Sequence, residues 1–374
     1  MFTNYVNGKH ILGVKEQHNI MVFVGNGFDI TVLNKYRSDN LVTSYGKFYD
    51  YLEYKGIDSN NVLYKKMKDD KKNGKDNWSD FEVTIGNLIE EGLVIEELNC
   101  SLKEIQKKFL LFLNDLAEPE VLLKENQDAE NNKWAIKSLS SFLSDIGEED
   151  YKKMLFPKTT QHYHMFNFLF VNFNYTSLLD NYLYLDKEQF EPHPHNNVDT
   201  NFSFYPNPNR YQENKKYQET VWSSFIMTNM IHPHGYQNVP RSLLFGIEEK
   251  KYLSHKEYNK FNKSYWAQDK QKYYEYFDDA QLFIIYGTSI GITDSWWWER
   301  ILNSMLSTDS ELIIYYYNDK NYDEGFVKDN FINSCKVAKL DDDKILKIKN
   351  KIYVVLYNDT NEKRMFSLKV EDGQ

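Results

Sequence analysis

Residues 21–30 read MVFVGNGFDI. An apolar run, Met21 to Val24, climbs into Gly25-Asn26-Gly27 and stops at Phe28-Asp29. The run shows no alternation of apolar and polar residues. It therefore reads as a strand buried on both faces, the kind found in a parallel sheet between helical layers. Two glycines one residue apart at its carboxyl end remove two side chains. That opens the backbone N–H groups to a phosphate or a ribose, or it allows a tight strand-to-helix turn. The full G-x-G-x-x-G pattern is absent, because position 30 is Ile30.

Similar runs recur along the 374 residues: FNFLFVNF (166–173), SLLFG (242–246), QLFIIYG (281–287), ELIIYYYN (311–318) and KIYVVLYN (351–358). Helical patterns lie between them, so the chain reads as an α/β three-layer architecture with a mainly parallel sheet. Residues 79–115 read as helix, with Ser79 and Glu82 at capping-box spacing. Residues 120–165 are also mostly helical in pattern, which places a helical insertion at about 61–165 after the first strand unit. Residues 190–230 are rich in Asn, Pro and Tyr and read as irregular, within a lid-like insertion at about 190–275. KLDDDKILKIKNK reads as a charged connection into the last strand. The whole of 1–374 is expected to be one domain.

The net charge is −10. A nucleic-acid binder draws most of its affinity from a basic face, so nucleic acid is not an expected partner. The one dense basic stretch, Lys65 to Lys75, is diluted by Asp69 and Asp70 and reads as a solvated loop. The two cysteines, Cys100 and Cys335, form no C-x-x-C pair and cannot make a four-cysteine zinc module. No signal peptide is visible, and no apolar run nears the ~20 residues that span a bilayer. A cytoplasmic protein is expected.

Three further stretches carry chemistry. In FNYTSLLD (173–180), Asn174 either meets a sugar hydroxyl through its amide or caps the helix that follows. In MIHPHGYQN (230–238), His234 precedes Gly235 and is either a general base or a structural histidine. Among the nine histidines, H-x-H occurs at 162/164, 193/195 and 232/234. Residues i and i+2 of an extended segment face the same way, so the pairs are compatible with metal binding, but no metal ligand is assigned. In YGTSIGITDSWWW (286–298), Gly287 to Gly291 matches the G-x-S-x-G of a nucleophile elbow. A hydrolase of that type needs its histidine after the serine. The last histidine is His255, so the turn reads instead as a second ligand cradle. Thr293, Asp294 or Ser295 is expected to cap the next helix, and Trp296 to Trp298 to lie in the core.

In this order, GNGFD (25–29), TSY with Phe48, WSDFE (78–82), FNYT (173–176), HPHG (232–235), LLFGIE (243–248) and YGTSIGITD (286–294) resemble the AbiH family of bacteriophage abortive-infection proteins. The likeness runs over roughly residues 20–300. That family is in turn similar to sirtuin-like domains, which bind NAD on a Rossmann-like sheet. The resemblance implies an antiphage effector that binds NAD or a related nucleotide and hydrolyses its nicotinamide–ribose bond. NAD would be substrate or ligand, with no separate cofactor.

By the same resemblance Gly25, Asn26 and Gly27 would cradle the phosphates, and Gly287, Thr288, Ser289 and Asp294 would form the adenosine side. Asn174 would hold the nicotinamide ribose and order the attacking water, and His234 would be the base. Asp29 would face a ribose, a cation or that water. Glu82 would reach in from the helical insertion, unless it serves its capping box. The sirtuin-like Asn-x-Asp is here Asn174-Tyr175-Thr176, which weakens nicotinamide recognition. An unknown phage trigger would release the effector, held inactive by the lid or by a homo-oligomer interface. Two other readings stand beside this one: a non-catalytic nucleotide sensor, and a metal-dependent nuclease or phosphoesterase using the H-x-H pairs.

Overall fold

The computed structural model describes residues 2–6, 14–74, 78–158, 163–185, 224–246, 261–335, 340–360 and 363–370. Six strands form one sheet: β1 (Glu16–Val24), β2 (His164–Asn172), β3 (Phe225–Ile231), β4 (Leu282–Tyr286), β5 (Glu311–Tyr317) and β6 (Ile352–Tyr357). Their order is β3-β2-β1-β4-β5-β6 and every pair is parallel. This is the strand order of a Rossmann-like doubly wound sheet, with the order reversing between β1 and β4.

Fourteen helices surround it among the described residues: α1 (Gly27–Tyr36), α2 (Tyr45–Lys55), α3 (Val62–Lys72), α4 (Trp78–Glu90), α5 (Ile95–Leu116), α6 (Pro119–Asn132), α7 (Trp134–Ser141), α8 (Glu148–Lys153), α9 (Leu178–Tyr182), α10 (Lys263–Ala267), α11 (Asp269–Asp279), α12 (Ser295–Ser307), α13 (Glu324–Ser334) and α14 (Asp342–Lys349).

The missing alternation in β1 has a direct cause. Ile20, Val22 and Val24 pack under the helices that precede β2, with Phe48, Phe109 and Phe142. Met21 and Phe23 pack on the other face with Phe277, Trp297 and Phe331. Both faces of the sheet are covered along Ile20–Val24, so every position of that stretch is apolar, whereas the amino end of the strand, Glu16 to Asn19, is polar. Of the three tryptophans expected in the core, Trp297 and Trp298 are buried, while Trp296 is partly buried against the same cluster.

The structure corrects several boundaries. SLLFG is not a strand. Leu244 makes one ladder-like bond to the His234 carbonyl (2.9 Å), and the segment otherwise runs as a loop. The sixth strand is FIMTNMI, at the end of the stretch read as irregular. As an edge strand it is only half-buried past Ile226, so its apolar signal is diluted by Thr228 and Asn229. Helix 79–115 is broken between α4 and α5, where Gly92 takes φ +79° and Leu93 N–H bonds the Leu88 carbonyl. That is a Schellman-type stop. The charged connection contains α14, capped by Asp341, whose carboxylate accepts the Lys344 N–H. Most of the lid-like insertion, 186–223 and 247–260, lies outside the described residues.

The turn after β1 and the turn after β4 interlock. Gly25 N–H donates to the Tyr286 carbonyl (2.9 Å), and Gly27 N–H donates to the Gly287 carbonyl (2.8 Å). A Cβ on Gly25 would come within 2.7 Å of the Gly287 oxygen, and one on Gly27 within 2.8 Å of the Gly287 Cα. Gly287 itself takes φ +66°. These glycines are required so that two backbones can touch. Gly25→Ala and Gly27→Ala are each expected to destabilise the protein by about 1–3 kcal/mol through overpacking against main chain that cannot retreat. Urea denaturation measures this; unchanged midpoints would mean the turns do not touch.

Candidate functional site: a charged crevice at the carboxyl edge

The two glycine turns form the floor of a cavity of about 490 Å³. It opens where the strand order reverses, the place where open α/β sheets take their ligands, and its volume suits a small-molecule site. All eleven candidate residues line it: Gly25, Asn26, Gly27 and Asp29 from the first turn, and Glu82 from α4. Asn174 follows β2, His234 follows β3, and Gly287, Thr288, Ser289 and Asp294 follow β4. Phe109 and Leu113 of α5, with Phe173 and Phe245, supply apolar wall. The helical insertion is therefore part of the site.

Hydrogen bonds give several of these residues specific duties. Asn174 Nδ2 donates to the Gly25 carbonyl (3.1 Å), and its N–H donates to Asn172 Oδ1 (3.0 Å). Asn174 therefore anchors the glycine turn and does not cap the following helix, α9, whose N-cap is Ser177. Asn26 Nδ2 donates to the Thr43 carbonyl (3.1 Å), tying α1 to the segment before α2. Thr288 Oγ1 accepts the Ile290 N–H (3.0 Å), and Ser289 is exposed. With Gly27 N–H bound to Gly287, that N–H is not open to a phosphate.

The charged side of the crevice is one connected cluster. The His234 ring stacks on Phe173, centroids 4.8 Å apart. Its Nε2 lies 3.1 Å from Asp294 Oδ1. Lys263 Nζ sits 2.9 Å from the same Asp294 oxygen and 2.9 Å from each oxygen of Glu82. Burial by itself would raise the Asp294 carboxyl, yet Lys263 and His234 outweigh it and hold Asp294 below the ordinary range. Burial raises Glu82 against the pull of Lys263. Burial would lower the Lys263 ammonium, but Asp294 and Glu82 hold it above its usual value.

Two sequence expectations change here. Glu82 does not close a capping box, because its carboxylate is bound to Lys263. Asp294 is the N-cap residue of α12 but makes no side-chain cap bond, and its carboxylate is engaged by His234 and Lys263. Lys263 was not foreseen. Its stretch, FNKSYW, carries no motif; the signal available was the placement of two acids in one buried crevice, which demands a cation.

Asp29 stands apart from that cluster and is 1% exposed. Thr176 Oγ1 donates to its Oδ2 (2.7 Å), while Oδ1 has no hydrogen-bond partner among the described residues. Burial, against the Thr176 bond and helped by Asp180, pushes the Asp29 carboxyl up to about 7. A carboxyl that titrates near neutrality is suited to proton transfer.

The H-x-H pairs do not act as chelating units in the crevice. His232 Nε2 lies 3.0 Å from Asp180, whereas His234 goes to Asp294. His162, His193, His195 and His255 lie outside the described residues.

Fold and crevice together define a Rossmann-like α/β protein with a buried, charged site at the switch point of its sheet. A family model, bacteriophage abortive infection AbiH, matches residues 21–316, and the chain belongs to that family. Its role is thus antiphage defence by abortive infection. No individual curated protein matches the chain. Among the described residues, no helix is long and apolar enough to cross a membrane.

Lys263→Met leaves two buried carboxylates without their cation and is expected to cost about 3–5 kcal/mol. Adding Glu82→Gln recovers part of the loss. A wild-type denaturation midpoint for Lys263→Met would refute the cluster. Asp29 gives a pH signature. Its folded pKa lies above the unfolded value near 3.8, so the fold loses stability as pH rises from about 4 to about 7. Asp29→Asn removes that loss. Relative to wild type it should gain up to about 4 kcal/mol at pH 8 and little at pH 4, at roughly 1.4 kcal/mol per pH unit. Equal differences at both pH values would contradict the raised pKa.

Proposed function

We propose that this chain is an abortive-infection effector that binds NAD or a related nucleotide in the crevice and hydrolyses the bond between nicotinamide and ribose. The observation that carries the reading is the pairing of a carboxyl near pKa 7, Asp29, with an imidazole held by a carboxylate, His234–Asp294, on the wall of one cavity.

The chemistry asks for little more. The C1′–N bond breaks with its electron pair going to the nicotinamide nitrogen, and positive charge develops at the ribose C1′. Ionised Asp29 supplies the negative charge that favours this state. Water then adds to C1′, and His234 takes its proton while Asp294 stabilises the imidazolium that forms. The Phe109, Phe173 and Phe245 walls lower the local dielectric, which strengthens each of these interactions.

Asn174 is a positioning residue in this reading. Because it anchors the Gly25 turn, Asn174→Ala removes both a turn and an active-site contact, and so tests neither alone. The sharper test uses His234→Ala and Asp294→Asn. Purified protein is incubated with NAD, with and without lysate of phage-infected cells, and released nicotinamide is measured. His234→Ala is expected to lower kcat by about 10²- to 10⁴-fold. Absence of nicotinamide release under every condition, or full turnover by His234→Ala, would overturn the proposal. Ligand-induced thermal stabilisation without turnover would favour a nucleotide sensor. The engagement of Gly27 N–H and Asn174 Nδ2 within the protein is the observation on that side.

A further inference from the structure

At the opposite, amino-terminal edge of the sheet a second group of side chains converges. Glu16 and His18 lie two residues apart on β1, and Glu16 pairs with His164 in the parallel ladder to β2. The pleat therefore puts all three on one face. One ligand-type atom from each lies within 4.8 Å of the others. His18 Nε2 is 3.0 Å from His164 Nδ1, and His164 Nε2 is 3.5 Å from Glu16 Oε2. His18 and His164 are buried, Phe156 and Phe166 pack beside the His18 ring, and Glu16 is exposed.

The proton inventory of this group does not close. Gln281 Oε1, 2.9 Å from His18 Nδ1, can only accept, so Nδ1 carries the proton and Nε2 presents a lone pair to His164. If His164 donates from Nδ1, its own Nε2 presents a lone pair to the Glu16 carboxylate. With either tautomer of His164 two acceptors face each other, Nε2 and the Glu16 carboxylate or Nδ1 and His18 Nε2. A cation that accepts lone pairs from all three groups removes this conflict without a proton. The Gln281 contact is then the outer hydrogen bond that fixes a ligating histidine's tautomer.

We propose that Glu16, His18 and His164 form a site for a divalent transition-metal ion of the zinc class, which ties β1 to β2 at the end of the sheet away from the crevice. Two imidazoles and a carboxylate are a ligand set such ions accept, with the exposed Glu16 side open to water as a fourth ligand. The site is independent of the nucleotide chemistry proposed above. Sequence spacing pairs His164 with His162, but its partner here is His18 on the neighbouring strand.

The test uses full-length protein stripped with chelator and titrated with Co²⁺, then Zn²⁺. Visible absorption reports Co²⁺ coordination, and thermal melting reports stabilisation. Wild type is expected to bind one ion tightly and melt higher with Zn²⁺. His164→Ala should lose the site. Glu16→Gln, on an exposed residue that leaves folding intact, and Gln281→Ala should each weaken binding by about 10- to 100-fold. His232→Ala should bind like wild type. If wild type takes up no ion at tens of micromolar (roughly the weakest affinity a resident site would show), the proposal fails. It fails equally if Glu16→Gln and His164→Ala bind as tightly as wild type.

Discussion

The peptide groups of Gly25, Gly27 and Gly287 touch because no Cβ stands between them. Everything at the carboxyl edge of the sheet depends on that contact. It draws the ends of β1 and β4 together at the point where strand order reverses. Asn174 then fixes the Gly25 carbonyl from β2, and Gln237 N–H reaches the Tyr175 carbonyl from the segment after β3. Four strand ends are thus tied by hydrogen bonds that end on main-chain carbonyls. A glycine turn at a strand's end is easily taken for a ligand cradle. Here its first duty is to let two turns pack.

The crevice above this floor holds the buried Glu82, Lys263 and His234 with the part-buried Asp294. Removing such charges from solvent is costly, and the geometry offsets the cost only because each carboxylate meets the Lys263 ammonium at 2.9 Å. The members come from α4, α10, the loop after β3 and the turn before α12. The cluster therefore links the helical insertion and the lid-like segment to the sheet. A long insertion that brought only apolar cover would not need Glu82; one that completes a site does. Asp29 differs because Thr176 is its only side-chain hydrogen-bond partner among the described residues. Without a facing cation, burial decides its protonation.

Strand patterns were legible wherever a strand is covered on both faces. β1, β2, β4, β5 and β6 each carry an apolar run where both faces of the sheet are covered, as at Ile20–Val24 and Leu312–Tyr315. β3 escaped because an edge strand is half-wetted and its sequence is correspondingly mixed. SLLFG was misread for the converse reason: Leu243 and Phe245 are buried, but against the crevice wall and not in a ladder. The break at Gly92 was hidden by a helical pattern that continues with the same apolar period on either side.

The sequence by itself determined that the turns after β1, β2 and β4 meet at one edge of the sheet. In a parallel sheet the turns after the strands share one edge, so a motif at a strand's end is placed by topology alone. It could not determine what those residues do there, because hydrogen bonds and ion pairs depend on neighbours from distant segments. Lys263 has no motif, Asp294 looks like a helix cap, and Glu82 looks like half of a capping box. Only their meeting in a low-dielectric space makes them one charged cluster. Likewise His18 and His164 are 146 residues apart, and it is the register of two neighbouring strands that sets them face to face.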